Sequence, residues 1–407
     1  MAGATDKERV PLKRRISSAT VNTPVGPLDL WLSGIILALL VLGVVMVYSA
    51  SIGPADIRPR TASHHFLYRH LFSLVLGFGA LLVGLLVPYR AWDHLKLLYP
   101  LLIGSALLMV VCLFFEERNQ AKRWIYFGSV SFQPYELAKL VFVIYLARSL
   151  SKRLHAMKDF WLGFLPHVVV FMAFSVVLFL QRDLSGAILL AVLMSMMLFI
   201  AGTQFKFVSR MAAFCGLWAL AIAYSGGRWA RILSYLNPWF ARDGDSMQIS
   251  KAITILGSGG LFGFGLGQGP QNIGDFLPES YNDFIFSVIG EELGFIGVVV
   301  TLLLFILLIV RGLWITLRLM DPFAQLLALG LTLMIGTQAA INIGVAVNVV
   351  PTTGVTLPFV SFGGSSMLTM MLAAGLLLQL SRFASAPTPE ESAQAAAEES
   401  KPAEEGA

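Results

Sequence analysis

"FIGVVVTLLLFILLIV", residues 295–310, runs sixteen positions without a charge. Just before it stands "FLPESYNDFIFSVIGEELG", residues 276–294, with Glu279, Asp283, Glu291 and Glu292 and no Lys or Arg. A run this apolar reads as a helix crossing a bilayer, which takes about 20 mostly apolar residues. Carboxylates beside or inside such a helix are costly, so each needs a structural or functional reason.

The rest of the chain reads the same way. Of 407 residues, 57% are hydrophobic and 13% charged, whereas soluble domains carry about 25% charged residues. Apolar segments fall near 29–49, 66–87, 96–115, 134–150, 161–180, 185–201, 208–225, 284–310, 323–347 and 363–381. The expected fold is therefore an all-α polytopic membrane protein of about ten transmembrane helices. A membrane domain over 28–383 includes a large outer loop, 226–283, between the seventh and eighth spans. Residues 1–27 form a basic tail with Lys7, Arg9, Lys13, Arg14 and Arg15. By the positive-inside rule that tail is cytoplasmic, and an even number of spans returns the C-terminus to the same side. Residues 384–407 are acidic and rich in Ala and Pro, a composition that stays disordered. The first apolar segment is long enough to span and has no A-x-A site behind it, unlike a cleaved signal peptide.

Several function classes recede. A net charge of +5 is modest, and its basic part suits anionic lipid on the inner face, so nucleic-acid binding is not indicated. Cys112 and Cys215 lie in different apolar segments and read as small buried hydrophobes. The six histidines show no metal-ligand spacing.

Two outward loops break the charge rule. One holds Arg118, Lys122 and Arg123; the long one holds Arg228, Arg231, Arg242 and Lys251. Loop cations are often merely solvated, but grouped on the outer face they suit an anionic ligand such as a lipid phosphate. "GSGGLFGFGLGQGP", 257–270, lacks the strand–helix context of a nucleotide loop and reads instead as close backbone approach or a re-entrant turn. The residues leading into it suggest a short amphipathic helix.

Polar groups inside the spans are the site candidates. Glu136 and Lys139 share one helical face, either as a self-neutralised anchor or as part of a site. Asp183 starts the sixth span and reads equally as N-cap or functional acid. Asp283 has the same two readings; shallow and reachable from the loop, it is the better placed to take a substrate's proton. Glu291 and Glu292, two turns further along a continuous helix, read as packing against a donor on a neighbouring helix. Ser365 and Ser366, candidate substrate-binding residues, lie in "PFVSFGGSS", read as backbone donors and close packing rather than a serine nucleophile, since no acid–His partner is visible.

At "KRWI", "FQPYELAK", "QRDLSGA", "GGLFGFGLGQG", "FLPESYNDFIFSVIGEELG" and "LPFVSFGGSS" the chain resembles the SEDS family (shape, elongation, division and sporulation proteins) over roughly residues 28–383. The resemblance implies a ten-span peptidoglycan glycosyltransferase that polymerises lipid II on the outer face of the bacterial cytoplasmic (inner) membrane. Its implied partners are a class B penicillin-binding protein transpeptidase and other divisome proteins. The extended N-terminal tail is more like the family's cell-division member, at the septum, than its elongation member. By motif, Asp283 matches the family's essential loop aspartate and Trp124 its tryptophan beside Lys122 and Arg123, while Glu136, Lys139 and Asp183 match groups lining its central cavity. The chain departs from the family pattern at Tyr281–Asn282 (usually His–Thr), Tyr135 (Ser), Arg182 (Pro) and Phe362 (Tyr).

An α-linked diphosphate donor and a β-1,4 product imply one inverting displacement. Asp283 would act as general base; Lys139, Arg123 and Lys122 would stabilise the departing diphosphate. A divalent cation (Mg or Mn) on the diphosphate is compatible, but no ligand cluster demands it. The rival readings are a lipid II flippase, an elongation-type polymerase and a non-catalytic scaffold. The sequence shows no internal repeat of the kind transporters carry.

Overall fold

The computed structural model describes residues 26–51, 60–115, 121–127, 130–225, 234–239, 245–270, 277 and 281–385. Residues 1–25 and 386–407 of the two tails, Arg118, Arg228, Arg231, Arg242 and Glu279 lie outside the described residues.

The chain runs α1 (Leu30–Ser51), α2 (Arg60–Leu86), α3 (Leu95–Val111), β1 (Ile125–Phe127), β2 (Val130–Phe132), α4 (Pro134–Arg153), α5 (Leu165–Leu180), α6 (Leu184–Ile200), α7 (Phe205–Ser225), α8 (Asp245–Ser258), α9 (Ile285–Arg318), α10 (Pro322–Ala346) and α11 (Gly364–Ala384). Each apolar segment of the sequence folds as a helix. Among the described residues seven helices are long and apolar enough to cross a membrane. The others that fill apolar segments are α4, interrupted by charge, α6, with 17 residues, and α7. Two features depart from an all-α chain of unbroken spans. The loop before α4 forms an antiparallel hairpin, Ile125 opposite Phe132, and α9 is broken near its start.

The break lies at Gly294, where φ is 66° and ψ −164°, a region essentially reserved for glycine. Backbone groups that the break frees are met by the glycine-rich segment. Phe295 N donates to Gly260 O at 2.8 Å, and Phe264 N and Gly265 N donate to the carbonyls of Glu291 and Glu292 at 3.0 Å. Non-helical backbone survives at membrane depth only when buried in protein this way. The sequence reading of a span running unbroken from 284 to 310 is corrected here; Glu291 and Glu292 precede the break and keep their place two turns after Asp283.

Of the seven, α10 and α11 are the most buried, and α2, α3 and α9 the least. Along α4, residues 138–147 are buried without exception. In lipid, helices gain no hydrophobic drive from pairing, so contact rests on close packing of small residues. Between α2 and α11, a Cβ on Gly84 would fall 2.5 Å from Leu372 O, and one on Gly375 2.1 Å from Leu81 O. Gln379 then donates to the carbonyls of Leu85 and Val87 at 2.8 Å each, satisfying the end of α2. Elsewhere, Arg311 on α9 pairs with Asp29, the acid that caps α1, at 2.6 Å.

Candidate active site

The polar residues singled out above gather where the hairpin, the α5–α6 turn and the starts of α4, α9 and α11 meet the end of α10. The hairpin is tied down at its base. Lys122 N donates to Gln181 O and its ammonium to Leu113 O, both at 3.3 Å. That leaves Arg123 over the α5–α6 turn, with Nη2 donating to Arg182 O at 3.3 Å and Nη1 at 3.6 Å from Asp183 Oδ1. Arg182 has φ 59°, which a proline could not adopt. The N-cap reading of Asp183 holds: the Oδ1 that faces Arg123 also caps α6 by accepting from Gly186 N at 3.0 Å. Trp124 follows, half-buried.

Pro134 opens α4, as its fixed φ suits a first turn. Gln133 N donates to Ser365 Oγ at 2.8 Å, fixing that start against α11. One turn on, Lys139 is fully buried and its ammonium donates to Glu136 at 2.8 Å and to Gln338 Oε1 on α10. The other end of the Gln338 amide donates to Thr356 O at 3.1 Å and to Thr356 Oγ1 and Ser366 Oγ at 3.3 Å. Donors on one end and acceptors on the other leave a single workable orientation for that amide. Direct contact of Lys139 with a diphosphate is not what this geometry offers: the ammonium has no exposed surface and faces a carboxylate. Its position is in the frame beneath the site.

Asp283 is half-buried one residue before Phe284, the N-cap of α9, so it is not itself the N-cap. Its carbonyl accepts from Asn342 Nδ2 at 3.0 Å, and the same amide donates to Val355 O at 2.7 Å. Ser361 Oγ donates to Asn282 O at 2.7 Å, and Phe362 N to Tyr281 O at 3.0 Å. Between Val355 and the preceding loop sits Gly354, with φ 71°. A Cβ there would stand 3.6 Å from Asp283 Oδ2 and 4.0 Å from Arg123 Nη1. The carboxylate and the guanidinium therefore approach each other across one glycine.

Glu291 and Glu292 are fully buried, and both reach the glycine-rich segment. Glu292 Oε1 accepts from Gly267 N at 3.2 Å, and the carboxylate of Glu291 lies where a Cβ on Gly269 would be, 2.5 Å from its Cδ. They hold the glycine-rich segment at the helix break.

Sequence reasoning gave no role to Gln338, Asn342, Thr356 or Gly354. The available signal was the i, i+4 pair of amides, Gln338 and Asn342, on one face of an otherwise apolar helix. Among the described residues no group of three or more His, Cys, Asp or Glu side chains stands close enough to hold a metal ion.

Residues 30–386 match the family of cell cycle proteins that FtsW, RodA and SpoVE define. The probable peptidoglycan glycosyltransferase FtsW of Geobacter metallireducens is 38% identical over 351 residues, 84% of this chain and 92% of that protein. Stage V sporulation protein E of Bacillus subtilis is 39% identical over 371 residues, 87% and 97% of the two chains. Among solved structures, RodA of Thermus thermophilus aligns with a TM-score of 0.64 at 30% identity, covering 87% of this chain and 97% of that one. A chain of a peptidoglycan synthase complex that coordinates polymerization and crosslinking aligns with a TM-score of 0.69 at 30% identity, covering 87% and 98%.

Proposed function

Since this chain belongs to the FtsW, RodA and SpoVE family of cell cycle proteins, the SEDS family, we propose that it is a peptidoglycan glycosyltransferase polymerising lipid II into β-1,4 glycan strands. The observation that carries this reading is Asp283 facing Arg123 across Gly354, a half-buried acid opposite a fixed cation. The relatives' names supply the reaction class, and FtsW among them favours the division role over elongation. On this reading the ten apolar helices all span the inner membrane. The Asp283 end faces outward, both termini lie in the cytoplasm, and the protein works at the septum beside a class B penicillin-binding protein and other divisome proteins.

The chemistry needs one displacement. The acceptor's 4-hydroxyl attacks the anomeric carbon of the donor sugar, and undecaprenyl diphosphate leaves from the opposite face, which inverts the configuration. Asp283 takes the proton from the attacking hydroxyl as the bond forms. Arg123, held by Asp183 and the Arg182 carbonyl, is the cation positioned to meet charge as it builds on the diphosphate. Holding it by a carboxylate and a carbonyl keeps it oriented before substrate arrives. Trp124, beside it, offers a ring for a sugar face. Lys139, Glu136 and Gln338 act one layer down, fixing the helices and the segment carrying Thr356 and Ser366. A divalent cation would enter on the diphosphate as part of the substrate.

Purified protein given lipid II in detergent tests the reading, because flipping has no meaning there. Glan strands lengthening with wild type and not with Asp283→Asn support a polymerase; no product from folded wild type overturns it.

A further inference from the structure

The segment from Val350 to Thr356 passes through the site as a strap pinned at both ends. Val350 N donates to Gly344 O at 3.1 Å, while Val355 O and Thr356 O accept from Asn342 and Gln338 at 2.7 and 3.1 Å. Between the pins lies Gly354, flanked by Asp283 and Arg123. Immediately before it, the hydroxyls of Thr352 and Thr353 are buried and have no hydrogen-bond partner among the described residues. Asn282 Oδ1 and Asn342 Oδ1, on the residue before Asp283 and on the donor to its carbonyl, are in the same condition.

Buried polar atoms are nearly always paired, and leaving one unpaired is unfavourable. Four buried polar atoms without a partner among the described residues, on the strap and on the residues that adjoin or hold Asp283, are best explained by a ligand that pairs with them. A site built to hydrogen-bond a substrate's hydroxyl carries such unpaired groups until that substrate arrives. We infer that Thr352 and Thr353 bind hydroxyls of the substrate's sugar beside Asp283. A threonine hydroxyl both donates and accepts, as a sugar hydroxyl does. Phosphate oxygens only accept, and Arg123 already faces that need. The inference rests on the polymerase reading above and adds two substrate-binding residues to it.

The test uses the full-length protein in detergent with Thr352→Val, Thr353→Val and the matching Thr→Ser variants. Each Val variant raises KM for lipid II about 2- to 10-fold, the worth of one neutral hydrogen bond, with kcat changed less. Its thermal unfolding midpoint stays level or rises, because a hydroxyl with no partner among the described residues contributes nothing to the free protein; each Ser variant keeps the wild-type KM. Inhibition by undecaprenyl diphosphate, which has no sugar, is unchanged. An unchanged KM in both Val variants, or a lowered midpoint with KM unmoved, overturns the inference, and weakened inhibition by the sugar-free diphosphate overturns the sugar assignment. Asp283→Asn is run alongside: full activity there defeats the general base, whereas its loss together with an unmoved KM in both Val variants defeats only the hydroxyl assignment.

Discussion

Asn342 donates its side-chain amide to the backbone carbonyl of Asp283 at 3.0 Å and, with the same nitrogen, to that of Val355 at 2.7 Å. One residue of α10 thus joins the start of α9 to the strap over the site. Gln338, one turn earlier on the same helix, joins the strap's end to the buried Lys139. The acid is held by its backbone through α10, while the opposing Arg123 is held through the α5–α6 turn.

Asn342 is 1% exposed, so Asn342→Leu strands two carbonyl oxygens. Each costs about 1–3 kcal/mol when buried without a donor. The unfolding midpoint falls, and polymerisation at saturating lipid II falls further, by up to about 100-fold if the carboxylate shifts by 1 Å. Both are read on the same purified sample.

Lys139 and Glu136 behave as a unit. Lys139→Met leaves Glu136 buried beside no cation, a loss of about 3–5 kcal/mol. Adding Glu136→Gln to it restores most of that loss. A double-mutant cycle followed by thermal unfolding measures the coupling; additive losses contradict the pairing.

Gly354→Ala places a methyl in ordinary contact with the site, 3.6 Å from Asp283 Oδ2. The left-handed backbone costs alanine about 1–2 kcal/mol. The polymerisation rate drops by more than that stability loss explains. In an Asp283→Asn background the same change brings little further loss of rate, because both act on one step.

Gly294→Ala is disruptive, since a Cβ there would lie 2.3 Å from Gly263 N in backbone that has no room to give. The strained conformation alone costs of order 1–3 kcal/mol. Gly104→Ala, on α3 with nothing within 4 Å of the added carbon, leaves the midpoint level or slightly higher. Comparing the two separates the helix break from glycine content in general.

The helices were legible because apolar length is a one-dimensional property, and every segment from 29–49 to 363–381 is helical where described. Which of the polar residues meet was not legible, since it depends on which faces turn together. Lys139 read as a phosphate ligand and lies instead under the site, where Gln338 is its partner. Glu291 and Glu292 read as packing against a neighbouring helix; the break at Gly294, which brings the glycine-rich segment against them, was not legible. Gly354 carries no side chain to notice, and its importance lies in the two residues it separates. Asp283 was found by position at a loop–helix border, and the family motif gave the same residue.

The central claim is that the Asp283 carboxylate removes a proton from the attacking sugar hydroxyl. Its most direct test is the single-turnover rate of glycan bond formation by purified wild type and Asp283→Asn, at saturating lipid II and with matched unfolding midpoints. Loss of a general base slows that step by about 10²–10⁴-fold, which is the result expected. A folded Asp283→Asn protein that forms the bond at the wild-type rate contradicts the account.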